Sequence, residues 1–417
     1  MLLCSLDNVQ PGTELAAAVF HPRRPGVELL RPGVVLDHAL LVRLRQLGVG
    51  TIWVACDATA DLDALMPEDI GQTRRAAYEL LKQNFSAISR STVTAGDVQR
   101  YRQIIMDLVL ELMGNRHLAG LSEQLFAGPP SLFTHGANVA YLSVLVGLRL
   151  EAYVIQQRDR LEYDHARDLT NLGIGAMLHD IGKLGMAKAV ARRTAIDPGD
   201  PSEPKDAEAE QDGPDYHEHP QLGYEMLSDT QTPATAKQIA LNHHQRWDGK
   251  GYPDLSAVTR QRRRGPQQGE QIHVFCRIVA VADVMDHLIR EAQQMNRPTV
   301  AALRAMHEAR FDGWFDPIVR DMMLRCLPPF PVGSHLRLSS GQEAVAIAPS
   351  LDQPCRPVVR LLDDAAGEGQ AGSAINLQER LGLCVTECAG REVGPYLFEL
   401  DRHCPALLQK AVSDGGG

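Results

Sequence analysis

Histidine and aspartate residues interrupt the apolar helical runs in the middle of this chain, and they constrain its fold more than any other feature. Two adjacent pairs stand out, His179 with Asp180 and His243 with His244. Neighbouring side chains on a helix point about 100° apart, so both members of a pair cannot enter an apolar core unless each finds a polar partner. Two such pairs in one region favour a metal cluster held between helix ends.

Three further residues with metal-ligand side chains lie in the same region. Asp283 lies within the apolar run IVAVADVMDHL, where a buried carboxylate requires a cation, a lysine or a proton. His135, taken alone, is more typical of a hydrogen-bonded core histidine, and His219, which precedes Pro220, could simply end a loop. The cluster is therefore a hypothesis that depends on these residues together.

The chain is long enough for several domains, because its 417 residues exceed the roughly 250 to 300 at which one hydrophobic core stops growing. Short apolar runs and turns predict a small α+β module over residues 1–70, with a helix at Leu40–Leu47 and the strand TIWVAC. Apolar residues at helical spacing predict a connector over 71–125 and a helical domain over 126–330. Alternating residues predict a small β module over 331–417, which ends in a disordered tail. The expected fold class is mainly α.

The net charge of −10 is concentrated in one segment. Residues 197–215 read DPGDPSEPKDAEAEQDGPD and contain eight acids against one lysine, which is typical of a solvated insert. The rest of the chain is nearly neutral. We therefore expect no DNA or RNA polymer as a partner, whereas a small anionic ligand is compatible with the charge.

The eight cysteines, at 4, 56, 276, 326, 355, 384, 388 and 404, contain no CxxC pair. They are typical of reduced thiols, and the closest pair, Cys384 and Cys388, lacks a second pair with which to bind zinc. The sequence contains no run of about 18 apolar residues. We therefore expect a cytoplasmic protein that does not enter a membrane.

The histidines and aspartates belong to five motifs. In chain order these are His135, HDIGKLG at His179–Gly185, HPQLG at His219–Gly223, HHQRWDGKGYP at His243–Pro253 and AVADVMD at Ala280–Asp286. This series resembles the HD-GYP family of cyclic di-GMP phosphodiesterases, a branch of the HD metal-dependent phosphohydrolases that serves bacterial signalling. The strand-rich flanks are similar to segments often attached to that domain.

The resemblance implies a helical HD-type catalytic domain over 126–330 with two divalent metal ions. It assigns one metal to His135, His179, Asp180 and Asp283, and the other to His219, His243 and His244, with Asp180 bridging both. Imidazole and carboxylate ligands suit iron or manganese, with zinc and nickel as alternatives. The implied reaction uses a bridging hydroxide to hydrolyse cyclic di-GMP to pGpG, and whether pGpG or GMP is the end product stays open.

Other motif residues match substrate-binding positions of the family. Lys183 matches a catalytic lysine that reaches a substrate phosphate, although an exposed helical lysine is the alternative. The loop Gly251, Tyr252 and Pro253 gives the family its name, and Tyr252 is expected either to pack against a guanine or to shape the pocket rim. Trp247 and Asp248 are expected to brace this loop.

The chain departs from the family pattern at three places. Ser131 replaces a glutamate that serves some members as a ligand for a third metal, so we expect two metals. The segment after Asp283 reads HLIREAQQMNRPTVAAL instead of one resembling DRPYRKA, which leaves Arg290 and Arg297 as candidate phosphate ligands. Asp180 to His219 and His244 to Asp283 each span 39 residues, longer than usual.

The second of these long spacings contains four arginines, at 260, 262, 263 and 264. Guanidinium groups bind phosphate oxygens in pairs, so these residues could replace the missing contacts. A solvated charged loop is the alternative.

Two other functions remain open. One is a catalytically weak HD-GYP signalling or binding module that acts through partner contacts, which the altered segment after Asp283 favours. The other is a phosphohydrolase for a different nucleotide. The expected partners are a cyclic dinucleotide and, as further candidates, a second copy of the chain or a signalling protein.

Overall fold

The computed structural model describes residues 1–21, 27–65, 93–114, 131–186, 216–254, 266–362 and 372–400, together with residues 76 and 79. The acidic insert at 197–215, the arginines at 260 and 262–264, and the tail from residue 401 lie outside the described residues. The fold is mainly α with small strand-rich flanks, as the sequence predicts.

The N-terminal region is built from two antiparallel strand pairs and one helix. Strand β1 (Leu2–Ser5) pairs with β4 (Thr51–Val54), and β2 (Val19–Phe20) pairs with β3 (Glu28–Leu30). Helix α1 (His38–Gln46) begins where the carboxylate of Asp37 accepts a hydrogen bond from the backbone N–H of Leu40 at 2.7 Å. The predicted helix and strand are therefore confirmed to within a few residues at each end.

Helices fill the central region. They are α2 (Ala95–Gly114), α3 (Leu132–Arg149), α4 (Glu151–Gln157), α5 (Tyr163–Arg167), α6 (Thr170–Leu178), α7 (His219–Ser228), α8 (Ala234–Asn242), α9 (Val274–Gln294), α10 (Thr299–Met306) and α11 (Pro317–Cys326). Helix α3 is buried from Leu132 to Gly147 and packs against α6 and α9, while α6 also packs against α8. Four helices thus surround the region where the motifs lie.

Helix α2, from the predicted connector, packs onto this core. Its buried residues Tyr101, Ile105, Leu108 and Leu112 recur at spacings of three and four, as the sequence pattern predicts for one buried face. Ile105 packs directly against Gly173 of α6. A Cβ atom on Gly173 would lie only 2.5 to 2.8 Å from side-chain carbons of Ile105. The glycine therefore permits α2 and α6 to approach closely.

No single described helix is both long and apolar enough to cross a bilayer. Helices α3 and α4, which meet at an angle of 88°, satisfy the length and composition criteria only as a bent pair.

The C-terminal region forms a six-stranded antiparallel sheet in the order β10-β9-β5-β6-β7-β8. Its strands are β5 (His335–Leu338), β6 (Glu343–Ala348), β7 (Val358–Leu361), β8 (Ala374–Asn376), β9 (Val385–Cys388) and β10 (Arg391–Glu392). The predicted β module is confirmed.

The two flanking regions contact each other. The backbone N–H of Leu3 donates to the carbonyl of Gly333 at 2.8 Å, and Arg360 binds both carboxylate oxygens of Asp61 at 2.7 Å. Val332 and Val345 share one hydrophobic cluster with Leu2 and other N-terminal residues. The chain ends that the sequence describes as separate modules therefore share a core.

Candidate metal centre

All seven side chains predicted as metal ligands meet at one place, and the carboxylate of Asp180 lies in the middle of them. Its Oδ2 atom lies 3.4 Å from Nε2 of His135 and 3.4 Å from Nε2 of His179. Its Oδ1 atom lies 3.3 Å from Nε2 of His219 and 3.7 Å from Nε2 of His243. One carboxylate thus faces two groups of imidazoles, one with each oxygen.

The first group, which we call the first half-site, consists of His135, His179, Asp180 and Asp283. Nε2 of His135 lies 3.2 Å from Nε2 of His179 and 3.0 Å from Oδ1 of Asp283, and the His179–Asp283 distance is 3.9 Å. Ligands bonded to one cation at about 2.1 Å lie roughly 3 to 4 Å from one another. The spacing therefore suits a single divalent cation.

The second group, the second half-site, consists of Asp180, His219, His243 and His244. Nε2 of His219 lies 3.2 Å from Nε2 of His243 and 3.2 Å from Nε2 of His244. The four candidate ligand atoms lie within 4.8 Å of one another. This half-site also has the dimensions of a cation site.

Helix ends place most of these residues. His179 directly follows α6 and His243 directly follows α8, so the neighbours Asp180 and His244 enter the cluster where each helix ends. His219 is the first residue of α7, whereas His135 and Asp283 project from the buried faces of α3 and α9.

Gly182 allows the two half-sites to meet. A Cβ atom there would overlap the carbonyl oxygen of His219 and lie 2.6 Å from the backbone nitrogen of Gly223. The glycine in the HDIGK motif therefore lets the segment after Asp180 lie directly against the start of α7.

Protein acceptors fix the orientation of three imidazoles. Nδ1 of His179 lies 2.7 Å from the carbonyl oxygen of Ala176, and Nδ1 of His243 lies 3.0 Å from the carbonyl oxygen of Ala240. Nδ1 of His135 lies 2.7 Å from Oδ2 of Asp286. Each acceptor requires Nδ1 to carry a proton, so in a neutral ring the Nε2 lone pair points into the cluster.

The donor atoms fit divalent cations. Nε2 lone pairs that lie 3.2 Å apart repel each other unless a cation or a proton lies between them. Oδ1 of Asp180 is buried and has no hydrogen-bond donor in the part of the chain that the structure describes. A buried carboxylate oxygen surrounded by imidazole lone pairs is the arrangement that a metal ion satisfies.

The electrostatics of the two half-sites differ. Burial opposes ionisation of both aspartates, but Lys183 and His179 keep the pKa of Asp180 well below its usual value. Hydrogen bonds from His135 and His287 do the same for the pKa of Asp283. Both residues are therefore carboxylates, and the proton that sequence reasoning allowed on Asp283 is not required.

The pKa values of the histidines shift in opposite directions. Burial disfavours protonated His135, yet Asp180, Asp283 and Asp286 raise its pKa well above the usual value. Burial lowers the pKa of His219 and His243, and burial with both of these neighbours holds the pKa of His244 well below the usual range. The first half-site attracts positive charge, whereas the second presents neutral imidazoles.

Residues 129–319 match the family model of the HD domain. The chain is 28% identical over 344 residues to a cyclic di-GMP phosphodiesterase of Pseudomonas aeruginosa, which covers 76% of this chain and 74% of that protein. It is 36% identical over 154 residues to a cyclic di-GMP phosphodiesterase response regulator of Xanthomonas campestris, which covers 36% of this chain and 35% of the relative. Residues 129–319 therefore match an HD domain, and the chain is similar to cyclic di-GMP phosphodiesterases.

A third relative has a different named substrate. A 3′3′-cGAMP-specific phosphodiesterase of Vibrio cholerae is 28% identical over 149 residues, which covers 35% of this chain and 24% of the relative. Each of the two shorter matches covers about a third of this chain and about a third or less of the relative's own length.

The GYP loop closes over the second half-site. A Cβ on Gly251 would collide with the carbonyl oxygen of His244 and lie 2.7 Å from Cα of Gln245, so this glycine permits close backbone approach. Tyr252 stacks on His244 with ring centroids 4.6 Å apart and on His217 with centroids 4.1 Å apart. These contacts favour the rim role of Tyr252 over stacking on a guanine.

Other contacts hold the HD-GYP loop in place. The amide of Gln245 donates to the carbonyl of Pro253 at 2.8 Å and accepts from the backbone N–H of Gln267 at 2.7 Å. The backbone N–H of Trp247 donates to the carbonyl of Trp314 at 2.9 Å, and Asp248 pairs with Arg246 at 2.6 Å. The backbone of Trp247 and the side chain of Asp248 thus both make contacts next to this loop.

The three basic side chains predicted to bind substrate lie in different surroundings. Nζ of Lys183 lies 2.6 Å from Oδ2 of Asp180, and its side chain is 20% exposed at the edge of the cluster. Arg290 is only 5% exposed and pairs with Asp286 at 3.0 Å, behind His135. Arg297 is exposed beyond the end of α9. Among the described contacts, none joins Arg297 to the cluster.

Ser131 caps the helix that carries His135. Its hydroxyl accepts from the backbone N–H of Thr134 at 3.2 Å and hydrogen-bonds to the Thr134 hydroxyl at 3.0 Å. The residue that replaces the glutamate of some HD-GYP proteins is therefore engaged in helix capping.

Sequence reasoning missed three residues that contact the candidate ligands or each other beside them. Asp286 and His287 lie three and four residues after Asp283, on the same face of α9, and both contact the cluster. Asn138, which lies about one helical turn after His135, donates a hydrogen bond to Asp286 at 2.7 Å. Helical spacing from a predicted ligand was the available signal.

Proposed function

We propose that this chain is a metal-dependent phosphodiesterase that hydrolyses cyclic di-GMP to pGpG through a dinuclear metal centre. The observation that carries the proposal is the position of Asp180, whose two oxygens face separate groups of imidazoles at 3.3 to 3.7 Å. A carboxylate placed in this way has the geometry of a bridge between two cations. The named activities of the Pseudomonas and Xanthomonas relatives agree with it.

The first and second half-sites would each hold one divalent cation, with Asp180 shared between them. Iron and manganese suit the mixture of imidazole and carboxylate donors. When bound, two cations supply Lewis-acid chemistry, because they neutralise phosphate charge and make water acidic enough to act as a nucleophile at neutral pH. The cap formed by Ser131 supports two metals rather than three.

The chain itself contributes charge and shape beside the metals. Lys183 is held by Asp180 and is partly exposed, so its ammonium can balance the negative charge that develops on the phosphoryl oxygens of the substrate. Gly251, Tyr252 and Pro253 form the rim of the second half-site. We therefore assign two catalytic residues, Lys183 and the shared ligand Asp180.

The two arginines predicted from the sequence to bind phosphate are assigned different roles. Arg290 is buried and paired with Asp286, so we assign it to support of the cluster rather than to substrate binding. Arg297 is exposed and stays the candidate for a contact with the dinucleotide.

The test is hydrolysis of cyclic di-GMP by the full-length chain with Mn²⁺, or with Fe²⁺ under anaerobic conditions, followed by chromatography of the products. We expect pGpG to form first, and a chase with pGpG will show whether GMP follows. Asp180→Ala should abolish turnover. A wild-type chain that holds two metals and binds cyclic di-GMP without cleaving it would instead support the signalling or binding module.

A second candidate substrate is another cyclic dinucleotide, 3′3′-cGAMP, which the name of the Vibrio cholerae relative favours. The metal chemistry would be unchanged, because both molecules contain the same phosphodiester bonds. Measuring kcat/KM for cyclic di-GMP and 3′3′-cGAMP side by side decides between them.

A further inference from the structure

His287 lies beside the first half-site, and the proposed ligand set does not use it. It follows Asp283 by one helical turn on α9, and its Nε2 atom lies 3.3 Å from Oδ1 of Asp283. Its ring centroid lies 4.7 Å from that of His135, and its side chain is 24% exposed. The imidazole is thus close enough either to bind the same cation or to hold the carboxylate that does.

The two roles require opposite tautomers of His287. A metal ligand needs a lone pair on Nε2, which in the neutral ring places the proton on Nδ1. A residue that holds Asp283 needs the proton on Nε2, because a carboxylate only accepts hydrogen bonds. The neighbour of Nδ1 therefore decides between the roles.

That neighbour is the guanidinium of Arg290, whose Nη2 atom lies 3.2 Å from Nδ1 of His287. A guanidinium only donates, so Nδ1 accepts and the proton of the imidazole is on Nε2. Nη2 also lies 3.1 Å from Nδ1 of His135, but that nitrogen carries the proton it donates to Asp286. His287 is therefore the ring that can accept from Arg290.

We propose that His287 is a positioning residue that donates from Nε2 to Oδ1 of Asp283 and fixes the orientation of that carboxylate, while Arg290 selects the tautomer. This inference rests on the proposed function, since it requires the first half-site to hold a cation. Without a metal, a proton on Nε2 of His135 would hydrogen-bond to Asp283. A cation at the first half-site would take the place of that proton, so this hydrogen bond would be lost. His287 then supplies the N–H that keeps the carboxylate in place.

The test measures metal binding without turnover. Mn²⁺ is titrated into the metal-depleted full-length chain, and free Mn²⁺ is followed by electron paramagnetic resonance. Partners of this kind contribute about 10- to 100-fold to metal affinity. We expect His287→Ala to weaken binding at the first half-site by about that factor and to leave the second half-site unchanged. A His219→Ala background isolates the first half-site.

Two substitutions separate the positioning role from a ligand role. His287→Gln should restore most of the lost affinity, because its amide can accept from Arg290 and donate to Asp283. His287→Glu should not, since a second carboxylate cannot donate to Asp283. Strong binding by His287→Glu together with weak binding by His287→Gln would show that His287 is a ligand and would overturn the proposal.

The controls separate failure of this inference from failure of the proposed function. His165→Gln, the same substitution on an exposed residue of α5, should leave Mn²⁺ affinity unchanged. Thermal unfolding of each metal-free variant checks that the fold is intact. A wild-type chain that binds no Mn²⁺ would overturn both proposals, whereas unchanged affinity in all His287 variants would overturn only the role of His287.

Discussion

The first and second half-sites share Asp180 but differ in charge and in the way their imidazoles are held. The first adds a second carboxylate, Asp283, and is supported by Asp286 and His287 from the same helix. The second consists of three imidazoles whose pKa values are lowered, two of them buried and that of His244 partly buried, with Asp180 as the carboxylate that faces them. One half therefore carries negative charge of its own, and the other relies on the shared aspartate.

This difference predicts unequal metal preferences. Carboxylate donors suit harder cations such as manganese, whereas imidazole donors also suit iron, zinc and nickel. We expect Mn²⁺ to bind more tightly at the first half-site than at the second.

Removing the shared residue should have the largest effect. Asp180→Ala deprives both half-sites of a carboxylate oxygen, so metal content should fall below one ion per chain. Turnover should fall by more than the about 100-fold expected from the loss of an outer partner. Elemental analysis and a cyclic di-GMP assay measure both effects. A variant that retains two metals would show that Asp180 does not bridge the half-sites.

Removing one unshared ligand should affect one half-site. His179→Ala should lose the metal of the first half-site and His219→Ala that of the second, each leaving about one ion per chain, because a divalent cation needs several protein donors. The metal stoichiometry of the two variants, measured in parallel, checks this. Loss of both metals in either variant would mean that the half-sites do not fill independently.

The close approach between the half-sites can be disturbed through Gly182. A methyl group there would overlap the backbone of His219, and forced overpacking of this kind costs about 1–3 kcal/mol of unfolding free energy. Gly182→Ala should therefore destabilise the metal-free protein in urea unfolding. Gly382→Ala is the matched control, because a Cβ there meets no atom within 4 Å. Equal stability of the two variants would contradict the role of Gly182.

The two half-sites should also respond differently to pH. Because the pKa of His135 is raised, its protonation stabilises the metal-free fold, and this contribution is fully present at pH values below its ordinary pKa of 6.5. The contribution is lost as the pH rises through the raised pKa. A cation must displace this proton, so affinity at the first half-site should increase with pH by up to about tenfold per unit. The lowered pKa values at the second half-site predict little change above pH 6.5.

The variants His219→Ala and His179→Ala, which isolate the first and second half-sites, allow this comparison by Mn²⁺ titration. Equal pH dependence in the two would remove the electrostatic distinction between the half-sites.

The sequence predicts the residues that form the cluster better than it predicts the residues around them. Pairs such as His179 with Asp180 are visible because charged and polar residues are costly in apolar helices. The sequence predicts a phosphate contact for Arg290, because sequence alone does not reveal that Arg290 and Asp286 are both buried. The i,i+4 spacing on α9 permits this pair, but its burial behind His135 depends on how α9 packs against α3, which joins distant segments of the chain.

The same limit applies to the fold. The helix of Leu132–Arg149 and the strands after Phe330 follow from local periodicity, and both are observed. The contact between Leu3 and Gly333 joins residues 330 positions apart, so no local pattern predicts that the two chain ends share a hydrophobic core.

The central claim is that two cations occupy the space around Asp180. It is tested most directly by elemental analysis of the full-length chain purified under anaerobic conditions. We expect two transition-metal ions per wild-type chain, iron or manganese, and less than one ion per chain in Asp180→Ala. A folded wild-type chain that holds one ion or none, even after dialysis against Mn²⁺, would contradict it.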